Sequence, residues 1–350
     1  MTVLVTGGAG YIGAHVVRLL QRQGADVVVV DDLSTGTAER LGGAPLVRLD
    51  VAAAEAPGVL RATMEEHQVD AVIHFAARKQ VGESVARPAW YYQQNIGGMA
   101  NLLEAMEGAG VRRLVFSSSA AVYGQPDVPQ VTEEMAGRPI NPYGQTKLVG
   151  EWLGRAAAAA WGCEFVALRY FNVAGAGWPD LGDPACLNLV TMVLDRLERG
   201  EQPRLFGDDY PTPDGTCIRD YIHVLDLAEA HLAALDYLDR PAAEALNRPL
   251  VEAFETTGGQ PSKAAARPDA FNVGTGTGSS VREVIDEIGR ASGLDVTTRL
   301  EPRRPGDPAL LVGDASLIGR EFGWRARHGL PEIISSAWEA WQAGPRRIPV

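Results

Sequence analysis

The N-terminal segment Thr2–Gly13 has the sequence TVLVTGGAGYIG. Its first half is a short apolar strand, and the turn that follows fits the spacing G-x-G-x-x-G. A helical pattern continues to about Gln23, and the all-valine strand Val27–Val30 then ends in two acids, Asp31 and Asp32. Strand, glycine turn, helix, strand and acid follow one another within about thirty residues, which predicts a dinucleotide-binding unit.

The glycines and the acid have separate tasks in such a unit. Glycines let the backbone approach a pyrophosphate, whose charge lies at the helix N-terminus, and the acid accepts a hydrogen bond from the adenosine ribose. Asp31 would repel a 2′-phosphate, and the next arginine is Arg40. We therefore predict NAD rather than NADP as the cofactor.

The alternation of strands and helices continues through the first half of the chain. Further strands are predicted at Leu46–Asp50, Ala71–Ala76, Arg113–Ser117 and Phe165–Arg169, and helices at Val59–His67, Trp90–Gly108 and Gly144–Trp161. Strands that are apolar on both faces and alternate with helices predict an α/β fold with a doubly wound parallel sheet, and a ligand at the carboxyl ends of its strands.

The regular alternation of strands and helices ends after Phe171. Loops rich in Gly, Pro and Asp surround one helix, at about Asn188–Arg199, so we expect a smaller mixed α/β substrate-binding lobe. The predicted domains are 1–175 and 176–350, with some segments of the second returning to the first. The segment Pro241–Asp269 is interpreted as a long surface loop.

The segment Asn141–Lys147, NPYGQTK, has a tyrosine and a lysine at i and i+4. Pro142 disfavours helix for the residue before it, so Tyr143 and Lys147 would share one face of a helix that begins there. A tyrosine with a pKa of about 10 is a poor base at neutral pH, and a nearby ammonium favours its phenolate. The pair therefore predicts acid–base catalysis by Tyr143.

The composition is that of an ordinary globular chain with an acidic balance. The 350 residues have a net charge of −12, with 46% apolar and 22% charged residues. An acidic balance argues against a nucleic-acid partner, whereas a few local arginines suffice for one diphosphate. Three cysteines lack metal or redox spacing, and no long apolar run or basic leader segment occurs. We expect a cytoplasmic protein without a metal site or a membrane segment.

Four motifs together carry a family resemblance. They are the glycine turn, Ser117–Ser119 at the end of a strand, the Tyr143/Lys147 pair and Arg169–Asn172. The combination resembles the extended short-chain dehydrogenase/reductase family, and within it the UDP-glucose (UDP-galactose) 4-epimerases. The similarity runs nearly end to end, apart from Pro241–Asp269, and it includes the segments Val81–Ser84, Phe206–Pro211 and Arg219–Val224.

The resemblance implies roles for individual residues. Tyr143 would be the catalytic base, Lys147 would hold the nicotinamide ribose and lower the pKa of the tyrosine, and Ser119 would relay the proton of a sugar hydroxyl. The positions that match NAD contacts are Gly7, Gly10, Tyr11, Ile12, Gly13, Asp31, Asp32, Leu33, Ser34, Thr35, Gly36, Asp50, Val51, Phe75, Ala76, Ala77, Lys79, Asn95, Ser119, Tyr143, Lys147 and Phe171. The positions that match UDP-sugar contacts are Lys79, Ser119, Tyr143, Asn172, Asn188, Leu189, Arg204, Leu205, Phe206, Arg219, Arg304, Asp307 and Leu311.

The resemblance also implies a homodimer and leaves some alternatives open. Nucleotide-sugar 4,6-dehydratases place Asp-Glu after the serine position, where this chain has Ala120 and Ala121, so elimination of water is disfavoured. Epimerisation of UDP-glucose and UDP-galactose is the leading hypothesis. Another UDP-hexose pair, an N-acetylhexosamine or a uronic acid, and a non-catalytic NAD sensor are the alternatives. Leu311 matches the position beside the sugar C2 substituent, and its size predicts partial discrimination against N-acetylated sugars.

Overall fold

The computed structural model describes residues 1–240, 267–304 and 306–344. The predicted surface loop Pro241–Asp269 therefore lies, except for its last three residues, outside the described residues. Within those ranges the strands are β1 (Thr2–Thr6), β2 (Asp26–Asp31), β3 (Leu46–Arg48), β4 (Ala71–His74), β5 (Arg113–Ser117), β6 (Glu164–Tyr170), β7 (Asn172–Ala174), β8 (Arg204–Phe206), β9 (Ile218–His223), β10 (Ala270–Val273), β11 (Gly278–Ser280), β12 (Arg299–Glu301) and β13 (Leu310–Leu311). The α-helices are α1 (Tyr11–Arg22), α2 (Ala56–Glu66), α3 (Val81–Ala86), α4 (Pro88–Tyr92), α5 (Gly98–Ala109), α6 (Pro142–Trp161), α7 (Leu189–Glu198), α8 (Val224–Asp239), α9 (Val281–Ser292), α10 (Ser316–Phe322) and α11 (Leu330–Ala343).

A seven-stranded parallel sheet forms the centre of the molecule, in the order β10-β6-β5-β4-β1-β2-β3. The chain reverses its direction of winding between β1 and β4, so the carboxyl ends of these strands face a crevice, where ligands of doubly wound sheets bind. The predicted fold class is confirmed.

Both faces of this sheet are covered, which explains the uninterrupted apolar strands. On one face, α1, α8 and α10 pack through residues such as Leu20, Leu235 and Phe322. On the other face, α2, α5 and α6 pack through residues such as Met64 and Met106. Valines of β2 belong to the two clusters in alternation, as a strand buried on both sides requires.

A second group of elements follows β6. Strands β7, β9, β11 and β13 form a small mixed sheet, β8 pairs with β12, and α7, α9 and α11 enclose a separate apolar cluster. Strand β10 lies in the large sheet beside β6, so at least one late segment returns to the first half of the fold. The division of the chain near residue 175 stays a prediction.

The predicted helix Trp90–Gly108 is interrupted in the structure. Helix α4 ends at Tyr92, a π-helical turn spans Gln93–Gly97, and α5 continues from Gly98. The turn contains Asn95, whose side-chain oxygen accepts a hydrogen bond from the Arg78 amide at 2.8 Å. Such π-helical turns are frequent at functional sites, and the apolar periodicity of the sequence does not predict them. None of the described helices combines the length and the apolarity that crossing a membrane needs.

Candidate active site

The glycine turn between β1 and α1 is packed against neighbouring backbone. Gly7 has a φ of +73°, and a Cβ added there would lie 2.7 Å from the amide nitrogen of Ala76. A Cβ on Gly13 would lie 2.3 Å from the carbonyl oxygen of Gly7. No side chain of the described residues caps the first turn of α1, which begins at Tyr11 after Gly10. The turn thus presents bare backbone amides at a helix N-terminus, and these fit a pyrophosphate.

The acid that ends β2 is fixed beside this turn. Asp31 is 7% exposed, and its two carboxylate oxygens accept hydrogen bonds from the amides of Ala9 at 2.9 Å and Leu33 at 2.8 Å. Each carboxylate oxygen can accept a second hydrogen bond, so the oriented group fits the two hydroxyls of a ribose. Gly36, in the loop that follows β2, packs directly against the glycine turn, because a Cβ there would lie 2.3 Å from the carbonyl oxygen of Ala9.

Two arginines near this loop are already engaged. Arg40 is buried, and its guanidinium donates to the carbonyl oxygens of Leu181 and Gly182. Arg78 forms an ion pair of 2.7 Å with Asp32. Neither is placed as a free cation for a 2′-phosphate, in agreement with the predicted preference for NAD.

The remaining cofactor candidates follow the carboxyl ends of neighbouring strands. Leu33, Ser34 and Thr35 follow β2, Asp50 and Val51 follow β3, Phe75, Ala76, Ala77 and Lys79 follow β4, Ser119 follows β5 and Phe171 follows β6. The sheet thereby brings together residues that are far apart in the sequence, at the edge where α1 begins and Ile12 lies in its first turn.

The three catalytic candidates meet between β5 and α6. Asn141 caps α6 by accepting a hydrogen bond from the Gly144 amide at 2.8 Å, so the helix begins at Pro142, as predicted. Ser119 hydrogen-bonds Tyr143, and it also caps the short 3₁₀ helix Ala120–Tyr123. The Lys147 Nζ lies 5.9 Å from the centroid of the Tyr143 ring and donates to the Ser117 carbonyl oxygen at 2.7 Å.

The ionisation of this pair differs from the sequence expectation. Burial raises the pKa of Tyr143, and the hydrogen bond from Ser119 only partly offsets it. Burial also lowers the pKa of Lys147 to about 7. Burial, rather than Lys147, sets the direction of the tyrosine pKa in this structure, because desolvation disfavours the charged form of each group and Nζ is directed to a carbonyl oxygen. The lowering of the tyrosine pKa by the lysine stays a prediction.

A cavity of about 470 Å³ opens beside these residues, between the large sheet and the second group of elements. This volume suits one nucleotide-sized ligand. The cavity wall includes most of the predicted substrate-binding residues, namely Lys79, Asn172, Asn188, Leu189, Arg204, Phe206, Arg219, Arg304 and Asp307, and also Phe171.

The charges of the cavity wall favour an anion. Arg219 is 9% exposed and pairs with Asp307, and the Arg304 guanidinium lies 3.8 Å from the centroid of the Phe206 ring. With Lys79, Arg196 and Arg204, the wall carries five cations against one carboxylate. Guanidinium groups held in this way suit the paired oxygens of a diphosphate.

Some predicted residues lie behind the wall. The side chain of Leu205 belongs to the core of the second lobe and is 4% exposed. Leu311 packs against the cluster that contains Phe171 and Ala120, next to the cavity wall. Ser119 and Tyr143 are also not part of the wall; Ser119 follows β5, and Tyr143 lies in the first turn of α6.

The sequence analysis missed several residues of the wall, including Cys217, Tyr221 and Arg196. Strand β9 was not predicted, although its alternation would have placed Cys217, Arg219 and Tyr221 on one face. Asp220, on the opposite face, is fully buried and accepts hydrogen bonds from the amides of Thr275 and Gly276. The i, i+2 spacing around Arg219 was therefore the available signal.

Residues 3–247 match the NAD dependent epimerase/dehydratase family. The chain belongs to this family. A UDP-glucose 4-epimerase of Azospirillum brasilense is 44% identical over 346 residues, which cover 96% of this chain and 91% of the relative.

Solved structures of similar epimerases agree with this family assignment. The UDP-glucose-4-epimerase from Stenotrophomonas maltophila, with bound NAD and formylated UDP-arabinopyranose, has a TM-score of 0.85 at 41% identity, with 98% of both chains covered. The UDP-Glc/GlcNAc 4-epimerase from Campylobacter jejuni has a TM-score of 0.80 at 36% identity, with coverage of 97% and 99%. The resemblance predicted from the motifs is confirmed.

Within the epimerase/dehydratase family, the site of this chain lacks the additional acid of a dehydratase. The positions after Ser119 are Ala120 and Ala121, which begin the 3₁₀ helix Ala120–Tyr123. An alanine cannot transfer a proton, so neither position supplies the additional acid or base that elimination of water requires.

Proposed function

We propose that this chain interconverts UDP-glucose and UDP-galactose by NAD-mediated oxidation and re-reduction at sugar C4. The observation that carries the proposal is the contact of Ser119, which follows β5, with Tyr143 on α6, where Lys147 lies one turn later. One acid–base group suffices when a single carbon is oxidised and reduced again.

The chain holds each partner with residues of matching chemistry. The amides of the glycine turn bind the NAD pyrophosphate and Asp31 binds the adenosine ribose. Arg219 and Arg304 bind the UDP diphosphate, and Phe206 offers an aromatic face beside it. NAD, when bound, accepts a hydride from sugar C4 and returns it, which leaves no net change in the cofactor.

The chain's own chemistry is the transfer of one proton. Tyr143 takes the proton of the 4′-hydroxyl, directly or through Ser119, and gives it back when the 4-keto sugar is reduced from its other face. The Ser119 hydrogen bond favours the phenolate, because it lowers the pKa of Tyr143 against the effect of burial. Between the two steps the keto sugar rotates about its diphosphate link, which the cavity of about 470 Å³ accommodates.

The test is the conversion of UDP-galactose by purified protein, with Tyr143→Phe as the diagnostic variant. The unmodified chain should form UDP-glucose without net NADH, and the variant should lose about 10²- to 10⁴-fold in kcat, the usual contribution of a positioned acid–base group. Tyr237→Phe is the matched control, since the Tyr237 hydroxyl donates to the Pro268 carbonyl far from the cluster. Near-normal turnover by Tyr143→Phe would refute the assignment of the base.

The substrate preference distinguishes the main hypothesis from its alternatives. A panel of UDP-hexoses, including N-acetylated and uronic acid forms, should give the highest kcat/KM with UDP-glucose and UDP-galactose. Binding of NAD without turnover of any panel member would indicate the non-catalytic sensor.

A homodimer is part of the proposal. The segments Trp90–Gly108 and Gly144–Trp161 would pair with their copies in a four-helix bundle around a two-fold axis. Exposed apolar side chains lie on this side of the molecule, since Trp152 on α6 is 56% exposed and Val85 on α3 is 63% exposed. Light scattering at micromolar concentration should give a dimer mass, and Trp152→Glu should give a monomer. A monomeric unmodified chain would contradict this part of the proposal.

We also place the protein in the cytosol. The three cysteines, Cys163, Cys186 and Cys217, form no disulfide, which suits a reducing compartment. Fractionation of the source cells with an antibody against the chain tests this placement.

A further inference from the structure

Three consecutive serines at the end of β5 contact α6 at three separate points. The carbonyl oxygen of Ser117, the first of the three serines, accepts a hydrogen bond from the Lys147 Nζ at 2.7 Å. The middle hydroxyl, that of Ser118, donates to Glu151 at 2.7 Å, and the last hydroxyl bonds Tyr143. The three partners on α6 are spaced by four residues, so they form one stripe along the helix.

Glu151, which accepts the hydrogen bond from Ser118, also forms a buried ion pair. Glu151 is 0% exposed and Arg169, on β6, is 4% exposed. The Arg169 Nε and Nη2 atoms lie 2.8 Å and 2.6 Å from the two carboxylate oxygens, which is a two-point contact. A second arginine, Arg155, approaches the same carboxylate at 3.4 Å from the partly exposed side.

Close packing of α6 on the sheet excludes water from this pair. A Cβ on Gly150 would lie 2.5 Å from the Phe116 ring, and a Cβ on Gly154 would lie 2.2 Å from the Phe165 ring. Glu151 lies between these two glycines in the sequence. The helix is thereby drawn against β5 and β6 where the carboxylate is held.

A hydrogen-bond network connects the ion pair to Tyr123 and Asn272. The Arg169 Nη1 atom donates to the Tyr123 hydroxyl at 3.1 Å, and this hydroxyl donates to the Asn272 side chain at 2.6 Å. Asn272 lies on β10, so the network joins α6 to three strands or their adjoining turns.

Buried ion pairs are weak contributors to stability, because desolvation offsets most of their attraction. Their replacement by apolar side chains of similar volume is often neutral or stabilising. What two-point geometry does provide is a fixed distance and orientation between the elements that it joins. The Glu151–Arg169 pair has this geometry, and Glu151 lies one helical turn after Lys147 and contacts the serine before Ser119. The pair can therefore control how Ser119 and Lys147 are oriented relative to Tyr143.

We propose that the Glu151–Arg169 pair, acting through Ser118, sets the position of Ser119 and Lys147 against Tyr143 and is needed for turnover rather than for folding. The inference rests on the proposed function and adds three positioning residues to it. None of the three needs to touch the substrate or the cofactor.

The decisive variant replaces the pair by apolar residues, Glu151→Leu with Arg169→Met, in the NAD-loaded protein. The unfolding midpoint and the NAD content should stay near those of the unmodified chain, and KM for UDP-galactose should change little. The kcat should fall about 10- to 100-fold, since a displacement of about 1 Å at reacting groups has effects of this size. Arg155→Met is the matched control, because it removes a cation from the same carboxylate on its exposed side, and its kcat should be unchanged.

Ser118→Ala is the second variant, and it changes no charge. Its kcat should fall about tenfold. The limb of the pH profile that reports Tyr143 should move to higher pH, because a looser Ser119 contact removes a bond that lowers the pKa of Tyr143. A purely structural role of Ser118 would leave this limb in place.

The outcomes separate this inference from the proposed function. A double variant with a reduced unfolding midpoint and a kcat within about twofold of normal would overturn the inference. If the double variant does not fold, an unchanged kcat and pH profile of Ser118→Ala overturns it instead. An unmodified chain that fails to convert UDP-galactose would refute the proposed function, and the positioning role with it.

Discussion

Replacement of Lys147 by methionine should stabilise the folded chain and at the same time remove its activity. Lys147 is 4% exposed, and burial lowers its pKa to about 7 from the ordinary 10.5. A methionine fills a similar space without a charge to desolvate. The variant loses the contact of Lys147 with the catalytic cluster, so kcat should fall by about 10²-fold or more.

The magnitude of the stabilisation follows from the pKa. At about 1.4 kcal/mol per unit of pKa, burial of the lysine destabilises the fold by roughly 4 kcal/mol at pH 7, roughly 3 kcal/mol at pH 8 and roughly 1 kcal/mol at pH 9.5. Methionine leaves the Ser117 carbonyl oxygen without its donor, which costs about 1–3 kcal/mol. The net gain in the free energy of unfolding at pH 8 is therefore about 0–2 kcal/mol.

The dependence on pH has a definite sign. Between pH 7 and 10.5 the unfolded chain binds a proton on Lys147 and the folded chain does not, so the stability of the unmodified chain rises with pH in this window. The advantage of the methionine variant should shrink by about 1.4 kcal/mol for each pH unit.

Urea unfolding at pH 7.5, 8.5 and 9.5, with NAD in excess, measures the slope. A loss of cofactor contacts would change the free energy of unfolding of the variant by the same amount at every pH. The change of this free energy with pH, rather than its value at one pH, is therefore diagnostic. Arg61→Met is the control: the Arg61 side chain is 56% exposed on α2, and its effect should not vary with pH in this range. An advantage of Lys147→Met that stays constant from pH 7.5 to 9.5 would refute the reasoning.

Three further outcomes are expected. Leu311→Ser should raise the rate with UDP-N-acetylglucosamine and Leu311→Tyr should abolish it, whereas the unmodified chain should favour UDP-glucose by roughly 10- to 200-fold in kcat/KM; equal values for the two sugars would contradict this. Gly13→Ala should weaken NAD retention, because its Cβ would lie 2.3 Å from the Gly7 carbonyl oxygen, and fluorescence titration of NAD measures the effect. Gly154→Ala should lower the free energy of unfolding by about 1–3 kcal/mol, since its Cβ would meet the Phe165 ring at 2.2 Å, and an unchanged urea midpoint would exclude such a clash.

Local sequence determined the sheet and the beginning of the site. The strand Thr2–Thr6 and the strand Arg113–Ser117 have the predicted bounds, because each is a short apolar run next to a turn or a polar boundary. The start of α6 at Pro142 was equally readable, since Asn141 caps it and proline suits the first helical position. Motifs of this kind depend on residues within a few positions of one another.

Only the tertiary structure decided the environment of these residues. The sequence predicts that Lys147 lowers the pKa of Tyr143, whereas the burial of the tyrosine acts on its pKa in the opposite direction. The wall residues Cys217 and Tyr221 and the pair Glu151–Arg169 were likewise not predicted as parts of the site. Burial, and contacts between residues far apart in the sequence, arise when helices and sheets pack together. The spacing of motifs therefore predicts which groups react, whereas packing determines how far these groups are buried and which residues they contact.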